Sequence, residues 1–208
     1  MEVIIKPIHA GNFTKNRYLY SVDYGNKVTG VVLHIMQGSL VGTDSWFNTP
    51  NTYVSSHDGI GKNGEIHQYV DYKDTAYHAG RMNSPTWEHI KKSLWGSNLN
   101  PNYYTYGIEC EGFRGETWTE KQMESIVQRT KYALGKMNLP YKREYITSHI
   151  EIAADKENLA DWCDEVVKRL NPVELPTNPQ FPPVSQKNID KAIARAKEII
   201  TLLGGTTS

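Results

Sequence analysis

Short apolar runs in the first 170 residues of the chain predict a β-sheet. Residues 28–35 are almost continuously apolar, which is typical of a strand buried inside a sheet. Residues 104–110 and 145–148 are shorter runs of the same kind, and we expect each to form a strand.

A β-hairpin is predicted between residues 54 and 70. The segments 54–57 and 65–70 flank a turn at Lys62-Asn63-Gly64. Asn-Gly between two extended segments is a strong signal for a tight hairpin turn, because both residues tolerate the left-handed backbone that such turns need.

Apolar residues at helical spacing predict one long helix and two short ones. The long helix covers residues 119–137, where Thr119 and Gln122 have the spacing of a capping box. Its apolar face contains Met123, Ile126, Val127, Thr130 and Leu134. Two short helices are predicted: one begins with residues 44–47 and ends at Pro50, and the other covers residues 164–170. The predicted fold is therefore α/β, with a mixed central sheet flanked by helices.

The pattern changes after residue 170, which divides the chain into three parts. Residues 1–170 form the predicted main domain, residues 171–186 a proline-rich linker, and residues 187–208 a C-terminal helix with its tail. The linker prolines are Pro172, Pro176, Pro179, Pro182 and Pro183. The helix has a heptad-like stripe made of Ile189, Ile193, Ala196, Ile200 and Leu203. Three interpretations stay open: packing on the main domain, self-association, or a neck to a further module.

Composition and charge exclude several classes of protein. The chain has 23 basic and 23 acidic residues, so its bulk charge indicates neither a nucleic acid nor an anionic membrane as partner. No apolar run approaches the roughly 20 residues that a membrane helix needs. The first residues lack a basic start followed by an apolar core, so no signal peptide is expected. The two cysteines, Cys110 and Cys163, are expected as free thiols.

Two histidines and one glutamate carry the chemistry of the sequence. His34 lies in the first buried run, His149 directly follows a strand candidate, and Glu109 lies within another apolar stretch. A lone histidine at a strand end is usually a core residue, but the three together match a catalytic zinc site. Such a site binds zinc through three protein ligands and uses a carboxylate that is not bound to the metal as the base.

Five blocks of sequence resemble the type 2 N-acetylmuramoyl-L-alanine amidases, a family that includes phage endolysins and peptidoglycan recognition proteins. The blocks are VVLH at 31–34, VSSH at 54–57 with GEIHQYV at 64–70, AYHAG at 76–80, YGIE at 106–109 and ITSHIEIA at 146–153. They occur in the order of the family, and the resemblance covers residues 28–170.

The resemblance implies a zinc amidase that cleaves the bond between the lactyl group of N-acetylmuramic acid and L-alanine in bacterial peptidoglycan. His34 and His149 would bind zinc, and Glu109 would be the general base. Lys156 would stabilise the oxyanion, and its alternative is an ordinary loop lysine. His78 and Tyr77 would contact substrate, although His78 could instead make a structural hydrogen bond. A phage-type endolysin acting from the host cytoplasm on the wall, or an exported autolysin, would fit this chemistry.

The third zinc ligand is where the sequence departs from the family. The family has Asp or Cys two residues after its lysine, whereas this chain has Asn158, a poor zinc ligand, and lacks the following Pro-Gly. Cys163 is the first candidate, because a thiolate binds zinc strongly, and Asp161 is the second. If neither binds, the chain is a non-catalytic peptidoglycan-binding module. A zinc peptidase acting on another amide is a third reading, and the preferred peptidoglycan chemotype is not encoded in a recognisable pattern.

Overall fold

The computed structural model describes residues 2–17, 28–93, 95–172 and 186–202. The chain divides into two compact units, Met1–Pro172 and Val173–Ser208. In the described ranges, no helix combines the length and apolar character that crossing a membrane takes.

The first unit is built on a mixed six-stranded sheet. In chain order, its strands are β1 (Val3–Ile5), β3 (Gly30–Ile35), β4 (Asp58–Ile60), β5 (Ile66–Gln68), β7 (Thr105–Cys110) and β8 (Ile146–Ser148). Across the sheet they lie in the order β1-β5-β4-β7-β3-β8. The central strand β3 pairs in parallel with both β7 and β8, whereas β4 and β5 pair antiparallel. Strands β2 (Phe13–Thr14) and β6 (Thr75–Ala76) form a separate pair.

Among the described residues of the first unit, three α-helices accompany the sheet: α1 (Leu40–Asn48), α2 (Glu120–Met137) and α3 (Ala160–Leu170). Helices α2 and α3 cover one face, where alternate residues of β3 and β7 join the main hydrophobic core. That core includes Val31, Leu33, Ile35, Tyr106 and Ile108. Because neighbouring residues of a strand point to opposite faces, His34 and Glu109 point away from these helices. The predicted α/β class with a mixed sheet flanked by helices is confirmed.

The positions of several predicted elements differ from the expectation. Residues 54–57 form no strand, and the hairpin instead pairs β4 with β5. Helices α1 and α3 each begin four residues before their predicted starts. Thr119 caps α2 by accepting a hydrogen bond from the Gln122 N–H, but the Gln122 side chain donates to the carbonyl of Glu111. The capping box is therefore only half formed.

The second unit contains one described helix, α4 (Gln186–Leu202). Within it, Ile189 and Ile193 are 40% and 50% exposed. The predicted linker prolines Pro176, Pro179, Pro182 and Pro183 lie outside the described residues, as does Leu203 of the predicted stripe.

Candidate active site

Three neighbouring parallel strands end at one cavity, and each brings a predicted functional residue to it. His34 lies near the end of β3 and is paired in register with Glu109 on β7. His149 directly follows β8, on the other side of β3. All three residues line a cavity of about 510 Å³. The carboxyl ends of parallel strands are a common location for binding sites, because the ends of adjacent strands present their side chains together.

The imidazoles of His34 and His149 face each other through the same ring nitrogen. Their Nδ1 atoms are 2.8 Å apart. Burial is the main cause that lowers the pKa of both rings, well below the usual range for His34 and to about 4 for His149. The positive charge of Lys156 lowers both pKa values further. Both rings are therefore neutral near pH 7, the form in which imidazole binds metals.

Glu109 is a partly buried carboxylate on the strand beside His34. Its Oε2 atom is buried and has no hydrogen-bond partner in the part of the chain that the structure describes. Burial, and then the negative charge of Glu157, raise the pKa of Glu109 to about 8, and Lys156 partly opposes this shift. A carboxylate with a pKa near neutrality can both accept and return a proton during a reaction.

The remaining predicted residues of the cleft have different degrees of exposure. Lys156 and Tyr77 line the cavity as partly buried residues, and the Tyr77 hydroxyl is 2.5 Å from Thr14 Oγ1. His78 also lines the cavity but is only 8% exposed, and its Nδ1 is 2.9 Å from His34 Nε2. Burial lowers the pKa of His78 to about 3. His78 therefore lies behind His34 and presents little surface to a substrate.

The structure does not bring Cys163 or Asp161 into this cavity. Because α3 begins at Ala160, Cys163 lies inside the helix and packs in the hydrophobic core with Val166, fully buried. Burial raises the pKa of the Cys163 thiol to about 12, which opposes formation of a thiolate. Asp161 is exposed in the first turn of α3 and lines a separate cavity beside Trp118. Asn158 is exposed and accepts a hydrogen bond from the Ala160 N–H at the start of this helix.

Glu157 is a carboxylate of the site that the sequence analysis did not identify. It lines the same cavity as His34 and His149, and Arg114 donates a hydrogen bond to it at 3.2 Å. Its position directly after Lys156 was the available signal. Within the described ranges, no group of three His, Cys, Asp or Glu side chains is arranged to hold a metal ion. The two facing imidazoles nevertheless fit zinc, because neutral histidine nitrogens are among its usual ligands.

Comparisons with known proteins agree with the blocks found in the sequence. A model of the family described as N-acetylmuramoyl-L-alanine amidase matches residues 24–165. N-acetylmuramoyl-L-alanine amidase A of Achromobacter lyticus is 32% identical over 133 residues, which are 62% of this chain and 60% of that protein. The 1,6-anhydro-N-acetylmuramyl-L-alanine amidase AmpD of Enterobacter cloacae is 30% identical over 98 residues, or 47% of this chain and 46% of that protein.

The matched region therefore spans about half the length of these curated relatives. Among solved structures, the catalytic domain of XlyA has a TM-score of 0.56 at 16% identity, with 82% of this chain and 100% of that chain covered. At this low sequence identity, the likeness shows a similar fold and nothing further about the site.

Proposed function

The chain belongs to the N-acetylmuramoyl-L-alanine amidase family, and we propose that it hydrolyses the amide bond between the lactyl group of N-acetylmuramic acid and L-alanine in peptidoglycan. The observation that carries this proposal is that His34, Glu109 and His149 meet in one cavity. Two neutral imidazoles beside a carboxylate suit metal-assisted amide hydrolysis. Action on the bacterial wall, as a phage-type endolysin or as an autolysin, is part of the same proposal.

Zinc is the cofactor in this proposal, and His34 and His149 are two of its ligands. We propose Glu157 as the third ligand, because it lines the cavity with both histidines whereas Cys163 does not. Since these side chains are not arranged to hold a metal ion as they stand, the Glu157 carboxylate would turn from Arg114 towards the histidines when zinc binds. Its ion pair with Arg114 does not prevent this role, since the Arg114 side chain is 67% exposed and exposed ion pairs contribute only about 0–1 kcal/mol. When bound, zinc supplies Lewis acidity that polarises the scissile carbonyl and acidifies water.

Glu109 is the proposed general base. In this mechanism its carboxylate takes a proton from the attacking water as the water oxygen bonds to the carbonyl carbon. The same carboxyl group then gives the proton to the departing nitrogen, so that the C–N bond breaks and the stem peptide leaves with a free amine on its L-alanine. Burial raises the pKa of Glu109 towards neutrality in the metal-free chain, and a group that titrates near the working pH can act first as a base and then as an acid.

Lys156 and Tyr77 complete the proposed machinery. Lys156 lines the cavity, and its charge already acts on His34, His149 and Glu109. Its ammonium would stabilise the negative oxygen of the tetrahedral intermediate. Tyr77 would contact the substrate from the wall of the cavity, where its backbone N–H is held by the Ser55 hydroxyl at 2.9 Å.

The proposal is tested with the purified chain and isolated cell walls. We expect about one zinc per chain and the release of new L-alanine amino groups without new reducing sugar ends. Glu109→Gln should retain zinc and lose roughly 10²–10⁴-fold in kcat, the usual contribution of a general base. Tight wall binding without zinc or new amines would contradict the amidase and support the non-catalytic module.

The third ligand is tested by measuring zinc affinity in three single variants. Glu157→Gln should weaken zinc binding by more than the 10–100-fold that is typical of outer-shell partners. Asp161→Ala should leave the affinity unchanged, because Asp161 lines another cavity. Cys163→Ala should destabilise the fold through a buried void but bind zinc normally once folded. Unchanged zinc affinity in Glu157→Gln would refute the assignment of this ligand.

A further inference from the structure

We propose that His78 is a positioning residue: together with Thr105, it holds His34 in the tautomer whose Nδ1 carries no proton and is free to bind a metal cation. This inference rests on the proposed role of His34 as a zinc ligand. It replaces the substrate contact expected for His78 with a hydrogen-bond chain behind the site. These hydrogen bonds connect the Pro101 carbonyl to Thr105, Thr105 to His78, and His78 to His34.

The hydrogen bonds of Thr105 determine which nitrogen of His78 carries the ring proton. Thr105 Oγ1 is 2.6 Å from the carbonyl oxygen of Pro101, and because a carbonyl oxygen only accepts, the Thr105 hydroxyl must donate there. The lone pairs of Thr105 Oγ1 are then left to accept, and His78 Nε2 lies 3.2 Å away. His78 Nε2 therefore carries the ring proton and donates it to Thr105.

The hydrogen bond between His78 and His34 then determines which nitrogen of His34 carries the proton. The hydrogen-bond partners of the buried His78 ring, His34 and Thr105, bear no negative charge, so the ring is neutral and carries one proton. With that proton on Nε2, His78 Nδ1 is an acceptor, and His34 Nε2 at 2.9 Å must donate to it. A neutral His34 with its proton on Nε2 has a bare Nδ1. This is the nitrogen that faces His149 Nδ1.

The surrounding backbone is shaped to hold the His78 ring. A Cβ atom at Gly107 would lie 2.5 Å from His78 Cγ, so a larger residue at this position of β7 would displace the ring. Asn102 Oδ1 accepts hydrogen bonds from the backbone N–H groups of His78 and Ala79 at 3.0 and 2.6 Å. The rings of His34 and His78 meet edge to face, with their planes 89° apart. These contacts leave the His78 ring little freedom to reorient.

Zinc affinity and imidazole NMR test the proposal directly. The variants are His78→Phe, which keeps a ring but removes the acceptor, and Thr105→Val, which removes the hydroxyl. Each should weaken zinc binding about 10–100-fold, measured by competition with a chelator, because outer-shell partners of ligating histidines have effects of this size. Thr105→Ser should bind zinc as the native chain does.

The matched control is Thr130→Val. Thr130 is also a buried threonine, but it lies on α2 and its Oγ1 has no partner in the described structure. Its replacement should leave zinc affinity unchanged. Equal zinc affinity in the native chain, His78→Phe and Thr105→Val, with all three folded, would overturn the proposal.

Nitrogen-15 NMR of the metal-free protein separates this inference from the proposed function. We expect the Nε2–H tautomer for His34 in the native chain and a loss of that preference in His78→Phe. If His34 of the native protein carries its proton on Nδ1, the proposed positioning role of His78 is refuted, whether or not the protein is an amidase. If the native chain binds no zinc, the proposed function fails while the NMR result still decides the tautomer.

Discussion

The carboxylate of Glu109 has one oxygen buried without a hydrogen-bond partner, and burial raises its pKa to about 8. An unfolded glutamate titrates near 4.3. Between these two values the folded chain binds the proton more tightly than the unfolded chain does. The contribution of Glu109 to stability is therefore fully present below about pH 4.3 and is lost as the pH rises to about 8.

Glu109→Gln should stabilise the metal-free protein at pH 8 by at most about 5 kcal/mol, although it removes the proposed base. The amide keeps the shape of the side chain but has no charge to bury. Chemical denaturation at pH 5 and pH 8 measures the effect, and the gain should be smaller at pH 5. Glu124→Gln, at an exposed position of α2, is the control. A metal-free Glu109→Gln chain that is less stable than the native chain at pH 8 would contradict this account.

Individual site residues could be predicted where strand patterns gave their position. His34 and His149 are predicted because each lies at or just after the end of an apolar run, and Glu109 because it interrupts one; parallel strands then bring these positions together. Cys163 is predicted as a ligand because a thiolate binds zinc strongly and because the residue lies just before the predicted closing helix, where an insertion could shift the ligand. Its spacing with Leu159, Val166 and Leu170 is that of a helix face, which already indicated a core residue.

At the scale of elements, the sequence predicts β3, β5, β7, β8 and the helices of the first unit, but it does not predict β1, β2 or β6. Several of the predicted starts also differ from the observed ones. Helix α1 begins at Leu40 because the Ser39 side chain accepts a hydrogen bond from the Gly42 N–H, although the first turn contains the weak helix formers Val41 and Gly42. The strand of the hairpin begins at Asp58 rather than at Val54, because pairing with β7 determines where β4 lies in the sheet. Pairing between strands that are far apart in the sequence leaves no signal in the residues near Asp58 from which the start of β4 could be predicted.

The end of α2 provides a prediction at this scale. Asn138 ends the helix with φ 53° and ψ 42°, the left-handed conformation that asparagine tolerates better than alanine. Asn138→Ala should lower the free energy of unfolding by about 1 kcal/mol, and Asn138→Gly should preserve or slightly raise it. Urea denaturation of both variants measures this difference. Equal stability of the alanine and glycine variants would show that backbone strain at residue 138 is unimportant.

At the scale of the whole molecule, the first unit contains both the core and the site. The three hydrophobic clusters that the described residues form, and the lining of the active-site cavity, all lie between Val3 and Leu170. A buried ion pair adds to this organisation: Arg129 on α2 donates to Asp58 on β4 at 2.8 Å, and Tyr106 donates to the same carboxylate at 2.7 Å. These contacts join the main helix to two adjacent strands of the sheet that carries Glu109.

A chain that ends at Pro172 should therefore fold, bind zinc and cleave peptidoglycan as the full chain does. Its thermal midpoint should lie within a few degrees of that of the full chain, since every hydrophobic cluster of the described residues lies within residues 3–170.

We expect the second unit to act instead in self-association, because Ile189 and Ile193 form an exposed apolar stripe on α4. Sedimentation equilibrium should then show a concentration-dependent dimer for the full chain and a monomer for residues 1–172. The variant Ile189→Lys/Ile193→Lys should abolish the dimer while keeping zinc content and activity. Loss of folding in the shortened chain would contradict its independence, and a monomeric full chain would exclude association through α4.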